Sequence, residues 1–291
     1  MTGTLKSAGA VLAARRGVRR LSDASVEITS PLRMTPHFLI CGAQRCGTTS
    51  MFKTIVQHPG VARPFLRKGV HYFDKHYDRG APWYRGHFPI TMTSRLRRRG
   101  AEPLTGESSP YYMFDPRAGE RIARDLPGVK LIVLLRDPAV RAYSAHSHEL
   151  AKGFETLPFE EALEREPERT AGERERMVRD DAYQSFDLQH HSYLARGHYI
   201  DQLIELERHV GRERLLVVDS GDFFIDPEPV FDEVCRFLGL PPAEGITFER
   251  HNARQRSPLT PALEARLRDH FAPYDARLTD WWGVTPSWLR G

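Results

Sequence analysis

Residues 38–50 read Phe38-Leu39-Ile40-Cys41-Gly42-Ala43-Gln44-Arg45-Cys46-Gly47-Thr48-Thr49-Ser50, and the rest of the architecture can be built outward from them. Four apolar residues run into a loop bounded by Gly42 and Gly47, and the hydroxyl-rich stretch beyond opens a helix predicted over 48–58, closed by Pro59-Gly60. Strand, glycine loop and helix at this spacing form a phosphate-binding loop, in which N–H groups of the loop and of the helix N-terminus converge on an anion. Thr48 stands where nucleotide-hydrolysing versions of the loop carry lysine. The cation offered is Arg45, so Gln44, Arg45, Cys46, Gly47, Thr48, Thr49 and Ser50 predict an anion cradle with a purpose other than ATP hydrolysis. Cys46 has no partner base in the sequence and is expected only to fit.

The clearest strand lies further on, at Val129-Lys130-Leu131-Ile132-Val133-Leu134-Leu135, a run suited to a sheet covered on both faces and therefore predicted to be central. Arg136 ends it. Asp137-Pro138 supplies an N-cap and a proline at the first helical position, so a helix is expected to about Lys152, with Ser144 two turns inside it. Arg136 thereby emerges at the carboxyl edge of the sheet, where open α/β sheets bind ligands, and with Ser144 predicts a grip on a second phosphate. Residues 215–218 form another strand, followed by a helix over 228–238 that Gly239 ends. Short runs at 61–62 and 104–105 are weaker strand candidates. The alternation predicts an α/β, P-loop-type three-layer fold with a central parallel sheet flanked by helices.

Composition narrows the class. The chain has 291 residues, 40% hydrophobic and 27% charged, enough for one large core. No run approaches the roughly 18–20 apolar residues of a membrane span. Three cysteines make neither a disulfide framework nor a zinc pattern, and His146, His148, His190 and His191 lack companion ligands, so no metal is expected and a cytoplasmic setting is the default. The net charge of +4 resides in residues 1–33, where six cations face two anions. Residues 1–35 are accordingly read as a flexible basic arm with no nucleic-acid partner, and residues 36–291 as a single domain. Residues 153–190, dense in Glu and Arg, read as a mobile charged insertion or lid, and residues 260–289 as a helical tail.

These residues resemble the sulfotransferases that use 3′-phosphoadenosine 5′-phosphosulfate (PAPS). Gln44 to Ser50 (QRCGTTS) looks like that family's 5′-phosphosulfate loop and Arg136 to Ser144 (RDPAVRAYS) like its 3′-phosphate motif. Lys68-Gly69-Val70-His71-Tyr72-Phe73-Asp74 is similar to the K-E-x-H-F-F-D segment of the carbohydrate branch. Gly106 to Tyr111, Tyr193 to Tyr199 and Phe237 to Pro241 also look like family segments, and the resemblance spans about residues 36–282. It implies PAPS as co-substrate without a metal, a carbohydrate or other small-molecule acceptor, acceptor contacts at Lys68, His71 and Asp74, and Arg254 and Arg256 over the nucleotide.

Two departures stand out. Arg45 replaces a lysine common in relatives, and Gly69 replaces the glutamate that serves heparan-modifying relatives as catalytic base. Sulfuryl transfer requires cations around the departing phosphate, for which Arg45 is a catalytic candidate, and a base for the acceptor's proton. Glu107, at a predicted strand end, and His71, the residue type that titrates near neutrality, are the two candidates, with His71 leading. Two other readings compete: a P-loop kinase or nucleotidase with Asp219 on magnesium, and a nucleotide-binding relative that lost catalysis with the glutamate.

Overall fold

A computed structural model of the protein describes residues 27–64, 68–97, 102–250 and 258–290. Four strands, β1 (Phe38–Gly42), β2 (Gly106–Ser108), β3 (Lys130–Leu135) and β4 (Leu215–Asp219), form one parallel sheet in the order β2-β1-β3-β4. The two most apolar runs take the two inner positions. Every residue of β1 is buried, and in β3 only Lys130 is not. Such strands cannot face water on either side, and helices flank the sheet, giving the expected α/β class. In register, Leu39 lies beside Glu107 on β2 and Leu131 on β3, and the ladder shifts between Ile40 and Gly42 as β1 turns into its loop. Because all strands run one way, Ala43, Ser109, Arg136 and Ser220 follow their carboxyl ends at a single edge.

Local chemistry sets the helices at that edge. Gly47 adopts φ 84°, a left-handed conformation glycine takes without steric cost, and the helix Thr48–Ile55 starts from it. The helix Pro138–Lys152 has the anticipated cap, with Asp137 accepting from the Ala139 and Val140 N–H groups at 2.8 and 3.2 Å, and it stops at left-handed Gly153. The first helix ends three residues before the predicted 58. The edge strand comprises Gly106–Ser108 rather than 104–105, while Val61 and Leu104 form an isolated bridge.

Residues 1–26 of the predicted arm lie outside the described residues. Its last part is fastened to the body, with Arg33 bonded to the Phe88 carbonyl at 2.7 Å and Ser30 and Met34 buried. The segment read as a charged insertion or lid is built into the body. It contains the helices Phe159–Thr170, Glu173–Arg179 and Phe186–His190, and two of its acids are buried and hydrogen-bonded. Glu155 is buried against Arg169 at 2.7 Å, and Glu166 accepts the N–H groups of Tyr193, Leu194 and Ala195 at 2.6–2.8 Å. Phe159 and Leu163 join Tyr193, Leu267 and Phe271 in an apolar cluster that ties the insertion to the long helix Pro261–Trp282. Charge density misleads here because a carboxylate holding three backbone donors is as much a core element as a leucine. Among the described residues no helix is long and apolar enough to cross a membrane.

Candidate functional site

The loop after β1 is held from below and from the side. A Cβ on Gly47 would lie 2.9 Å from the Phe224 ring, so the turn admits no side chain there. Cys46 is fully buried, its thiol pushed up by burial, and its sulfur sits 3.7 Å from the Tyr199 hydroxyl, which agrees with a packing role. Gln44 receives a bond from Arg196, whose other nitrogen donates to the Leu188 and Gln189 carbonyls at 2.7 and 2.6 Å. The Arg196 guanidinium also lies over the Tyr111 and Phe114 rings at 4.7 and 5.0 Å. Nothing in the spacing of the sequence singled out Arg196 as a support of the loop. The only signal was its place in the family-like run Tyr193 to Tyr199.

The two predicted phosphate motifs meet. Arg136 donates from Nη1 to the Arg45 carbonyl at 3.2 Å, and Arg45 donates from Nε to the Ser144 hydroxyl at 3.0 Å. Two guanidiniums and a buried hydroxyl therefore share one corner beside the helix N-terminus, a donor set suited to a doubly charged oxyanion. Lys68 reaches the same helix at Thr49, donating to its hydroxyl at 2.8 Å. Burial and neighbouring Lys53 push the Lys68 ammonium down to about 8. The residues thus fit a ligand with two separated anionic groups. Arg254 and Arg256 lie outside the described residues.

On the acceptor side the structure separates the two base candidates. His71 keeps 36% of its side chain exposed, and its Nδ1 lies 2.7 Å from the fully buried Asp74 carboxylate. A carboxylate partner fixes the proton on Nδ1 and leaves the Nε2 lone pair to accept one, and among the described residues Nε2 has no hydrogen-bond partner. Asp74, expected to touch the acceptor, instead orients the imidazole. Gln184 of the insertion donates to the Asp74 carbonyl at 3.0 Å, bringing that segment to the border of the site.

Glu107 is sealed. It has no exposed surface and accepts four bonds, from the Val70 N–H at 2.6 Å and the hydroxyls of Ser109, Tyr112 and Tyr84 at 2.7, 2.8 and 2.9 Å. Burial pushes its carboxyl above the usual range, and the donors oppose that shift. None of these partners is Arg45 or Lys68, and the absence of exposed surface leaves Glu107 no path to an acceptor. Ser109 in turn accepts the His71 N–H at 3.0 Å, and Ser108 donates its own N–H to the Lys68 carbonyl at 2.9 Å, so Glu107 organises the segment carrying Lys68 and His71. Glu107→Gln, whose amide places an N–H among these donors, should cost about 1–3 kcal/mol of stability. Turnover per folded molecule should remain within several-fold of the parent, as denaturation and activity assays on the same sample will show. Gly69 is equally constrained, because a Cβ there would lie 2.5 Å from the Ser108 carbonyl oxygen. A glutamate side chain would have no room at this position.

Asp219, the candidate magnesium ligand, is committed elsewhere. It caps the helix Ser220–Ile225 and accepts both the N–H and the hydroxyl of Ser287 at 2.7 Å.

Residues 35–255 match the family described as "Sulfotransferase domain". The chain is 28% identical over 246 residues to human heparan sulfate glucosamine 3-O-sulfotransferase 3B1, an alignment covering 82% of this chain and 55% of that protein. It is 28% identical over 228 residues to human bifunctional heparan sulfate N-deacetylase/N-sulfotransferase 3, covering 74% of this chain and 24% of the relative. It therefore spans between a quarter and just over half the length of these curated relatives. A solved sulfotransferase from Alicyclobacillus acidocaldarius superposes with a TM-score of 0.64 at 28% identity, covering 89% of this chain and all of that one. With the loop after β1 and the Arg45, Arg136 and Ser144 corner inside it, this match over most of the chain places the protein in the sulfotransferase family.

Proposed function

We propose that the protein transfers a sulfuryl group from PAPS to a hydroxyl, or an amine, of a carbohydrate or other small-molecule acceptor. The observation that carries this reading is the convergence of Arg45, Arg136 and Ser144, which supplies a second phosphate grip that an ATP-hydrolysing loop does not need. A carbohydrate acceptor is favoured by the names of the heparan sulfate relatives. The loop and Lys68 would hold the 5′-phosphosulfate, with Arg136 and Ser144 on the 3′-phosphate. The donor supplies an activated sulfuryl group, whose bond to the 5′-phosphate breaks as the acceptor oxygen bonds to sulfur. His71 takes the acceptor's proton at Nε2 while Asp74 balances the resulting imidazolium. Lys68 and the helix N-terminus stabilise charge on the departing phosphate. The His71–Asp74 pair supports a retained base over the reading in which catalysis was lost with the glutamate at position 69.

A pH dependence follows from Lys68. Its lowered value of about 8 means the cation is complete below that pH and is lost as pH rises through it. kcat/KM, which reports the free enzyme, should fall through an alkaline limb near pH 8. Lys68→Arg should move that limb upward, since a guanidinium stays charged. A profile flat to pH 9.5 in the parent would remove Lys68 from the mechanism. The reading as a whole is tested by transfer of labelled sulfate from PAPS to a panel of desulfated glycosaminoglycan fragments and simple glycosides, with product formation as the supporting result.

A further inference from the structure

The long helix Pro261–Trp282 clasps the start of the helix Tyr199–Val210 with His270, Phe271 and Tyr274, which lie on one of its turns. His198 and His270 meet Nε2 to Nε2 at 2.9 Å. The His198 ring also stacks on Tyr274, with centroids 3.8 Å apart and planes within 5° of parallel. Phe271 closes on Gly197, where a Cβ would lie 2.5 Å from its ring, so the two segments meet without slack. The residue before Gly197 is Arg196, whose bond to Gln44 supports the loop after β1. A bond between two imidazoles needs one Nε2 protonated and the other bare. The pair can take one extra proton on Nδ1 of the donor, whereas a further one sets two N–H groups and two like charges against each other.

The charges around this contact do not relieve that conflict. Arg141, on the helix Pro138–Lys152, disfavours a cation at His198, and Asp201, on the histidine's own helix, favours one but is paired with Arg277 at 2.8 Å. Beside His270, in the cavity it shares with Leu163 and Leu194, Arg266 lies 3.7 Å from Glu164 and 3.3 Å from Glu160. Among the described residues no carboxylate is hydrogen-bonded to either imidazole. Burial, and then the neighbouring His270, push His198 down to about 4, and burial pushes His270 down as well.

We infer that the His198–His270 pair is an acid-sensitive clasp, which opens when both facing nitrogens are protonated and so loosens the segment from which Arg196 holds the loop. Only the link to nucleotide binding rests on the sulfotransferase reading, since the clasp itself is a property of the fold. The sign follows from the lowered values. A histidine that titrates below its ordinary value of about 6.5 when folded contributes stability that is complete above that pH and is lost as pH falls toward the folded value. The clasp is therefore closed at neutral pH and opens between about pH 6.5 and about 4.

The test is amide hydrogen exchange of the parent, His270→Gln and His198→Gln at about pH 7.5 and about pH 5, corrected for the intrinsic pH dependence of exchange. Glutamine keeps a neutral donor and acceptor at the contact, so the remaining imidazole can take a proton without facing a second one. On acidification, protection of residues 195–202 and 267–275 should fall at least about tenfold further in the parent than in either variant, with β3 unchanged in all three. Over the same interval the affinity for adenosine 3′,5′-bisphosphate should also fall further in the parent. Equal changes in protection in parent and variants would overturn the clasp, and equal losses of affinity would overturn its link to the loop. A parent that binds no bisphosphate at either pH would contradict the PAPS reading instead, and hydrogen exchange would still decide the clasp.

Discussion

His71→Ala should lower the rate of sulfuryl transfer by about 10²- to 10⁴-fold while leaving the affinity for adenosine 3′,5′-bisphosphate unchanged. The magnitude is what a positioned general base contributes, and the selectivity follows from geometry. The imidazole is bonded to Asp74 and its backbone to Ser109, whereas the donors proposed for the phosphates are Arg45, Arg136, Ser144 and Lys68. Asp74→Asn should act in the same direction without touching the acceptor, because an amide facing Nδ1 no longer enforces the tautomer with its lone pair on Nε2. Asp74 is fully buried and also accepts the Lys75 N–H at 2.8 Å, so this variant needs a thermal-denaturation control. A rate loss in His71→Ala that tracked a loss of nucleotide affinity would make the residue a scaffold. An undiminished rate would show that another group accepts the proton, and with Glu107 sealed and position 69 closed to side chains, the acceptor itself would then be the place to look.

Arg136→Ala carries the other large effect. Its guanidinium stands at the end of β3, half-buried, against the Arg45 carbonyl. Removing a charge-assisted contact to a phosphate in such a place should weaken bisphosphate binding by about 2–4 kcal/mol, roughly 30- to 900-fold. The loss should be much smaller for adenosine 5′-monophosphate, since the proposed seat of the 5′ end is the loop and the helix N-terminus. An equal loss for both nucleotides would mean that Arg136 acts by holding the loop through Arg45, a structural role.

What could be read from the residues was whatever a short stretch encodes by itself. The loop at 42–50, the cap and proline at 137–138 and the apolar run of β3 are local patterns, and each took its anticipated place. Arg136 and Ser144 were legible for the same reason, since a strand end and a helical spacing fix where both emerge. Glu107 was not legible in this way. Its partners Tyr84, Val70 and Tyr112 arrive from separate segments, and no spacing announces that a carboxylate at a strand end will be surrounded by hydroxyls. Arg196 escaped for a related reason, because its bond to Gln44 joins residues 152 apart. The insertion shows the same limit in reverse. Its composition predicts a charged insertion or lid, while Glu166 finds its donors only once residues 193–195 have folded beside it, and Glu155 adds the Tyr193 hydroxyl to donors of its own segment.

Whether this loop and the Arg136 and Ser144 side chains bind one nucleotide with phosphates at both its 5′ and 3′ positions is decided by calorimetric titration with adenosine 3′,5′-bisphosphate beside ATP and ADP with magnesium. The expected result is micromolar binding of the bisphosphate that needs its 3′-phosphate and is indifferent to magnesium. Preference for ATP with magnesium would contradict it and return the loop to kinase or nucleotidase chemistry.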